Sequence, residues 1–338
     1  MIRLSKATIV DVAKHANVSI ATVSRVINQL GGVRKNTEGR ILQAIEELNY
    51  IPNAVARSMV KKSTKTIGII IPDVNNPFFP AVVSGIEQKA REKGYFTLLC
   101  NTNESADTER ELLRIFMERS VDGLIITTAD ERGDQLQTVI DAKIPIVAVD
   151  RAIKKFEVDT VLVGNIDGAY QATRHLILQG HQKIAIICGS QNTTPGYERF
   201  VGYKQAMEDY GIPLVDEHIL EGDFKEESGN RLTRALYHLP DRPTAILSSN
   251  NLMTMGCLKA LSELGWKLGE EVSFIGFDDV DIATFINPPL TVVSRPMRKL
   301  GEIAFDLLYE RMTRSSVQGK RHYVLSPDLN IRQSCRLR

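Results

Sequence analysis

The chain has 338 residues and a formal net charge of +1, with 43% hydrophobic and 25% charged residues. These values fit a folded protein of two or three domains. No apolar run reaches the roughly 18 residues of a membrane-spanning helix, and no apolar core follows the first charged residues, as it would in a secretory signal. The four cysteines lie far apart and form no metal-type pair. We therefore expect a cytoplasmic protein without a metal or other cofactor.

Positive charge is concentrated near the N-terminus. Up to Lys65 there are eleven basic and four acidic residues, a net charge of +7, so the remainder of the chain carries −6. A basic segment joined to an acidic body favours nucleic-acid binding by the segment alone.

Two short helices are predicted within residues 9–28. Thr8 is a suitable N-cap for the first helix, Asp11 suits the positive end of its dipole, and Ser19 can cap the second. Apolar residues at helical spacing would bury one face of each helix and leave Arg25 exposed. This pattern alone fits a helix-turn-helix that enters a major groove and an ordinary helical hairpin about equally well.

A third helix is predicted over residues 37–49, where its apolar face would close a three-helix core. Gly39 inside it is unfavourable, by ~1 kcal/mol relative to alanine. Residues 52–60 form a linker with a helical signal, and a polar stretch ending at Lys65 closes the N-terminal region.

From Thr66 onwards apolar strands alternate with helices, which argues for parallel sheets covered on both faces. The pattern restarts near Gly164 and thus predicts two doubly wound units. The predicted strands are 66–71, 96–100, 123–127, 146–149, 183–188, 245–248 and 272–276, and the predicted helices are 81–93, 107–119, 135–142, 168–179, 199–210 and 253–264.

Four segments of the N-terminal region resemble the headpiece of the lactose-repressor (LacI) family of bacterial transcription regulators. They are TIVDVA at 8–13, VS at 18–19, TVSRVIN at 22–28 and LNYIPN at 48–53. The similarity continues along nearly the whole chain, and the body resembles the periplasmic sugar-binding protein fold. The fold class that the resemblance implies is an all-α helix-turn-helix headpiece followed by an α/β body of two doubly wound parallel-sheet subdomains.

The resemblance also implies the domain boundaries. Residues 1–52 would form the headpiece, 53–65 a hinge helix and linker, and 66–338 the effector-binding and dimerisation domain. Within that domain, subdomain one would span about 66–163 and 290–318, and subdomain two about 164–289 and 319–338.

The headpiece would bind a palindromic operator as a dimer. Arg25 is expected to read a guanine through a fork of N–H groups, and the apolar Ile20 and Ala21 to contact thymine methyl groups. A pure phosphate contact is the alternative for Arg25. The resemblance implies that two hinge helices enter the minor groove with Met59 as an apolar wedge. The complete set of expected DNA-binding residues is Thr8, Ser19, Ile20, Ala21, Thr22, Ser24, Arg25, Asn28, Asn53, Ala56 and Met59.

Polar and aromatic residues follow several predicted strands, where an open α/β sheet binds its ligands. They resemble the ribose-binding pattern of the fold at Asn76, Phe78, Phe79, Asp150, Arg151, Arg199, Phe224, Asn250 and Asp278. Arg295 departs from this pattern, which has glutamine there. A further cation in the cleft suits a carboxylate or phosphate, so the effector would be a small sugar or a sugar acid. The alternative is that Arg295 pairs with Asp278 or Asp279 and meets no ligand.

Two other kinds of protein compete with this interpretation. A regulator of the same family could respond to a phosphorylated carrier protein instead of a small ligand. An enzyme is disfavoured because no nucleophile motif, metal-ligand spacing or glycine-rich phosphate loop is present. Neither the direction of the effector's action nor the choice between dimer and tetramer follows from the sequence, although the short C-terminus without a heptad repeat favours the dimer.

Overall fold

The computed structural model describes residues 7–28, 30–51, 63–314 and 319–337. The chain divides into two compact units at the boundary between Lys65 and Thr66. The predicted end of the linker at residue 65 coincides with this boundary.

The N-terminal unit contains the three predicted helices, α1 (Ile9–His15), α2 (Ile20–Ile27) and α3 (Lys35–Glu47). Thr8 and Asp11 form a capping box at the start of α1, and the Ser19 hydroxyl accepts a hydrogen bond from the Thr22 amide at the start of α2. A small apolar core joins the helices, formed by Val12, Ala13, Ala16, Val23, Ile41 and Ala44.

Helix α3 begins two residues earlier than predicted, after Arg34, which makes no side-chain capping hydrogen bond. Gly39 lies within it, and an added Cβ there would meet nothing within 4 Å. The glycine therefore weakens α3 without serving a close contact in the described part of the chain.

The body contains two six-stranded sheets. The first has strand order β11-β5-β4-β3-β1-β2 and the second β12-β10-β9-β8-β6-β7. All neighbouring strands are parallel except β10 and β12. The strands are β1 (Thr66–Ile71), β2 (Phe96–Asn101), β3 (Gly123–Ile126), β4 (Ile146–Val149), β5 (Asp159–Val163), β6 (Ile184–Cys188), β7 (Ile219–Glu221), β8 (Ala245–Ser248), β9 (Ser273–Phe277), β10 (Thr291–Ser294), β11 (His322–Leu325) and β12 (Asp328–Asn330).

Helices cover both faces of each sheet, and each sheet carries one apolar cluster on either face. Most helices begin two to five residues before their predicted start. The helices are α4 (Phe78–Glu92), α5 (Ala106–Glu118), α6 (Gln137–Asp141), α7 (Asn165–Leu178), α8 (Thr194–Asp209), α9 (Glu226–Tyr237), α10 (Asn251–Leu264), α11 (Ile282–Phe285) and α12 (Met297–Thr313).

The chain crosses between the two sheets three times, and this corrects two predicted boundaries. Residues 290–318 were assigned to subdomain one, but β10 pairs with β9 in the second sheet, and only α12 packs on the first. Residues 319–338 are predicted to lie in subdomain two, but β11 pairs with β5 in the first sheet, and only β12 joins the second as predicted. The crossings therefore follow β5, β10 and β11.

The missed strands lack the continuous buried apolar run that predicts a central strand. Strands β7, β11 and β12 lie at sheet edges and are partly exposed. Polar residues at Asp159, Thr160, Thr291 and Ser294 shorten the apolar runs of β5 and β10.

No helix in the described segments is long and apolar enough to cross a membrane.

Helices α4 and α12 approach each other closely because glycine occupies the contact on both sides. A Cβ added at Gly85 would lie 2.2 Å from the Arg298 carbonyl oxygen, and one added at Gly301 would lie 2.0 Å from the Val82 carbonyl oxygen. Neither backbone can yield locally, so a methyl group at either position would push the helices apart.

We predict that Gly301→Ala destabilises the body by about 1–3 kcal/mol, because the overpacking at the backbone contact outweighs the better helix propensity of alanine. Urea unfolding of the body measures the loss. Ser84→Ala is the matched control, because Ser84 is exposed on α4 beside Gly85. Equal stability of Gly301→Ala and the control would show that the contact tolerates a side chain.

Candidate functional site

Helix α2 presents an exposed face to solvent in the N-terminal unit. Ile20 is 47% exposed, and Ala21 and Arg25 are exposed beside it. The exposed arginine on this face is available for contacts with another molecule. The dimensions of a helix suit the major groove of B-form DNA.

The hydrogen bonds of α2 divide its polar residues into two groups. The Arg25 Nε donates to the Gly31 carbonyl oxygen at 3.2 Å, which directs the guanidinium along the turn after α2. Asn28 is only 8% exposed, and its amide nitrogen donates to the carbonyl oxygen and the hydroxyl of Ser24 at 2.9 and 3.2 Å. Arg25 is thus accessible to DNA, whereas Asn28 closes the end of the helix.

The DNA-binding roles of these residues stay predictions. Asn53, Ala56 and Met59, which were expected to bind the minor groove, lie outside the described residues.

In the body, two aspartates occupy matching positions at the ends of the two sheets. Asp150 follows β4 and Asp278 follows β9, with φ angles of 66° and 74°. Each donates its backbone N–H to a neighbouring strand, at Val161 and Val293 respectively. The left-handed backbone costs a non-glycine residue of order 1 kcal/mol or more. The surrounding strands fix this conformation, which turns each carboxylate into the cleft between the subdomains.

Arg295, directly after β10, joins these two carboxylates. Its Nε donates to Asp278 Oδ1 at 2.6 Å and its Nη1 to Asp150 Oδ1 at 2.8 Å, and all three side chains are at most 6% exposed. The guanidinium lies 3.6 Å from the centre of the Phe78 ring, in cation–π geometry. Burial opposes the charge on Arg295, but the two aspartates outweigh it and raise its pKa.

Arg151 and Lys225 form two further ion pairs in the cleft. Arg151 binds Glu104 through both terminal nitrogens, at 2.7 and 2.8 Å, and its guanidinium lies 5.8 Å from the centre of the Phe224 ring. Lys225 of subdomain two donates to Asp73 of subdomain one at 2.5 Å. Burial by itself would raise the pKa of Asp73, but hydrogen bonds from Lys225 and Asn75 lower it.

Arg199 on α8 is fully buried and has different partners. Its Nε donates to Asn165 Oδ1 at 2.9 Å, its Nη1 donates to the Ser249 carbonyl oxygen, and its guanidinium lies 4.3 Å from the centre of the Phe277 ring. Burial, and secondarily the charge of Arg295, lower its pKa to about 9. Arg199 therefore remains a cation at neutral pH.

Two asparagines complete the junction. Asn76 Oδ1 accepts hydrogen bonds from the Phe78 amide and from Asn251 of subdomain two, at 3.0 and 2.9 Å. Asn250 caps α10 by accepting from the Met253 amide, and its Nδ2 donates to the Phe224 carbonyl oxygen at 2.9 Å.

The structure brings all ten predicted effector residues together. Nine of them line one cavity between the subdomains, and Asp278 contacts Arg295 at its wall. The same cavity is also lined by Asp73, Glu104 and Lys225, which the sequence reasoning missed. Asp73 follows β1 by two residues and Lys225 follows Phe224, so proximity to predicted site residues was the available signal for both. The effector-binding role of the cavity stays a proposal.

Comparison with known proteins identifies the family. The profile described as periplasmic binding proteins and sugar binding domain of the LacI family matches residues 64–327, and the profile of bacterial regulatory proteins of the lacI family matches residues 8–53. The chain belongs to the LacI family. It is thus a DNA-binding transcription regulator with a helix-turn-helix and a sugar-binding-type domain, as the resemblance predicted.

Individual LacI-family relatives match along nearly the full chain. The transcriptional repressor PurR of Vibrio vulnificus is 36% identical over 330 residues, which cover 97% of this chain and 98% of that protein. The regulator CelR in complex with cellobiose is 30% identical with a TM-score of 0.75, over 97% and 99% of the two chains. The lac repressor dimer bound to operator and the anti-inducer ONPF is 27% identical with a TM-score of 0.86, over 98% and 99%.

The ion pair between Lys225 and Asp73 yields a prediction about cleft closure. Lys225→Met should favour the open form by about 1–3 kcal/mol, because it removes a charge-assisted hydrogen bond between the subdomains. Small-angle X-ray scattering of the protein should give a larger radius of gyration.

Lys183→Met is the matched control, because Lys183 pairs with Asp241 within subdomain two only. Identical scattering curves for both variants would show that the Lys225 contact does not hold the subdomains together.

Proposed function

We propose that this LacI-family regulator is a transcriptional repressor. It acts in the cytoplasm, binds a palindromic operator as a homodimer and responds to a small sugar or sugar acid in the cleft between its subdomains. The observation that carries the proposal is the convergence of ten polar and aromatic side chains on one cleft, in a chain that also contains an exposed helix-turn-helix recognition face.

The exposed face of α2 supports a DNA-reading role. Arg25 can offer its terminal N–H groups to guanine O6 and N7, while Ile20 and Ala21 suit thymine methyl groups. Ser19 and Thr22 bond to each other at 2.8 Å. Thr8, Ser19, Thr22 and Ser24 are proposed to fix the register on the DNA backbone, and Asn53, Ala56 and Met59 to contact the minor groove. The expected contact of Asn28 with DNA is not proposed, because its side chain is buried against Ser24.

An apolar edge strand that has no further neighbour among the described residues supports the dimer. Strand β2 is the last strand of the first sheet, and it exposes Phe96 by 76%, Leu98 by 39% and Leu99 by 42%. An exposed apolar edge strand invites association with another chain. The lac repressor structure with which this chain aligns is a dimer on its operator.

The cleft supports a polar, hydroxylated effector. Carboxylate, amide and guanidinium groups can bind sugar hydroxyls, and the rings of Phe78, Phe79 and Phe224 can cover C–H faces. The CelR regulator with which this chain aligns is in complex with a sugar, cellobiose.

An enzymatic role is not proposed. Burial raises the pKa of the Cys188 and Cys257 thiols to about 12, so neither is a reactive thiolate at neutral pH. The relatives quoted above are named as repressors or regulators.

Selection from random DNA duplexes tests the DNA-binding proposal. The protein should enrich a palindrome, and Arg25→Ala should lose about 1–3 kcal/mol of binding energy at one base pair in each half-site. Quantitative gel retardation on single-base variants of the selected site gives this value.

Arg40→Ala is the control, because Arg40 is an exposed arginine on α3 outside the α2 face. If Arg25→Ala weakened binding equally on all sequences, Arg25 would be a phosphate contact. If no sequence were enriched, the proposed function would be wrong.

A further inference from the structure

The four cations of the cleft are not equally compensated. Arg151, Lys225 and Arg295 each hydrogen-bond to at least one carboxylate. Among the described residues, no carboxylate oxygen lies within 4.0 Å of the Arg199 guanidinium, whose partners are the neutral Asn165 and Ser249. Arg199 is therefore a buried cation without a counter-charge in contact.

Arg199 also has an unused hydrogen-bond donor. Its Nη2 is buried and has no partner in the described part of the chain, and the same holds for Nε of Arg151. Both arginines line the cavity. A buried donor left without an acceptor is unfavourable, and more so when the group is charged. A ligand that supplies an anionic oxygen would give Arg199 both a counter-charge and an acceptor for its Nη2.

A neutral sugar finds few free hydrogen-bond acceptors in this cleft. It would need carboxylates as acceptors for its hydroxyls, but Arg295 occupies Oδ1 of both Asp150 and Asp278, and Asn251 donates to Asp278 Oδ2 at 3.1 Å. Among the described residues, only Oδ2 of Asp150 accepts no hydrogen bond from another side chain, so the protein already uses three of the four carboxylate oxygens that could accept from sugar hydroxyls.

We propose that the effector is a sugar acid whose carboxylate binds Nη2 of Arg199, and that Arg295 determines this preference by occupying the two aspartates. The inference rests on the proposed function, since it names the chemical class of the small effector. Arg295 is a specificity-determining residue in this scheme, because it occupies one oxygen of each aspartate, which reduces the acceptors for neutral sugars, and leaves the donor of Arg199 available.

Thermal unfolding of the full-length protein with matched ligand pairs tests the proposal. The acids are D-glucuronate, D-galacturonate, D-gluconate and 2-keto-D-gluconate, and their neutral partners are D-glucose, D-galactose, D-glucitol and D-fructose. D-Glucose 6-phosphate is included as the phosphate probe. At 100 times its dissociation constant, a binding acid should raise Tm by about 5–10 °C. Its neutral partner should bind at least tenfold more weakly.

Variants then assign the preference to residues. Arg199→Gln should weaken acid binding at least tenfold. Arg295→Gln should free Asp150 and Asp278, and so reduce the ratio of acid to neutral affinity at least tenfold. Arg114→Gln, which changes an exposed arginine on α5, is the control and should leave both affinities unchanged. Arg199→Lys keeps the charge but removes Nη2. If Arg199→Gln does not fold, this second variant should also weaken acid binding.

Three results would overturn the inference. They are a neutral sugar that binds as tightly as its acid, a shift with D-glucose 6-phosphate alone, and no shift with any of the four acids. Gel retardation of the selected operator with the same protein preparation distinguishes a wrong effector class from a wrong proposed function. If the protein still binds its operator, only the effector class is wrong.

Discussion

The cleft depends on one buried guanidinium. Arg295 connects the carboxylates that end β4 of the first sheet and β9 of the second, and it lies against the Phe78 ring. It also stands at the second chain crossing, between β10 in one sheet and α12 on the other. Removing one partner of a buried ion pair leaves the other charge buried and unpaired, which lowers the stability of the fold by about 3–5 kcal/mol. The three side chains must therefore be considered as one unit that links both subdomains.

Other polar contacts also connect the two subdomains across the cleft. Lys225 reaches Asp73, and Glu131 of the first subdomain accepts hydrogen bonds from the amide and hydroxyl of Thr194 at the start of α8. Arg199 lies on the same helix, α8. A ligand bound to Arg199 would therefore act on a helix that already contacts the opposite subdomain through Thr194. Effector binding can shift such an equilibrium only by its differential affinity for the two forms.

Local sequence signals predicted much of the architecture. Thr8, Asp11 and Ser19 act as caps where the sequence placed them, because capping depends on residues only a few positions apart. The buried strands, including the four-residue β3, β4 and β8, were found because a continuous apolar run is also a local signal. The subdomain assignments of the segments that contain β10 and β11 were wrong, since residues far apart in sequence determine which sheet a short strand joins. Here β11 pairs with Asp159–Val163, more than 150 residues earlier.

Contacts between residues far apart in sequence also limited the prediction of the site. The strand-end residues could be identified from their positions, and the structure brings them together. Whether Arg295 would face a ligand or an aspartate could not be decided, because Asp150 is 145 residues away and its φ of 66° follows from tertiary contacts. The structure shows that Arg295 pairs with Asp278, one of the two predicted partners, and also with Asp150, which was not considered as one. Glu104 was missed although it follows β2 by three residues; its pairing with Arg151, 47 residues away, is a tertiary contact that no local signal indicates.

The central claim is that ligand binding in the cleft and operator binding by the headpiece are coupled. Titration of the selected operator with protein, in the absence and at saturation of the ligand that raises Tm, tests it most directly. The account predicts a change in operator affinity of about 5–150-fold, and an equal change in ligand affinity when operator is present. Equal operator affinities in both titrations would contradict it, because the cleft would then bind a ligand without controlling DNA.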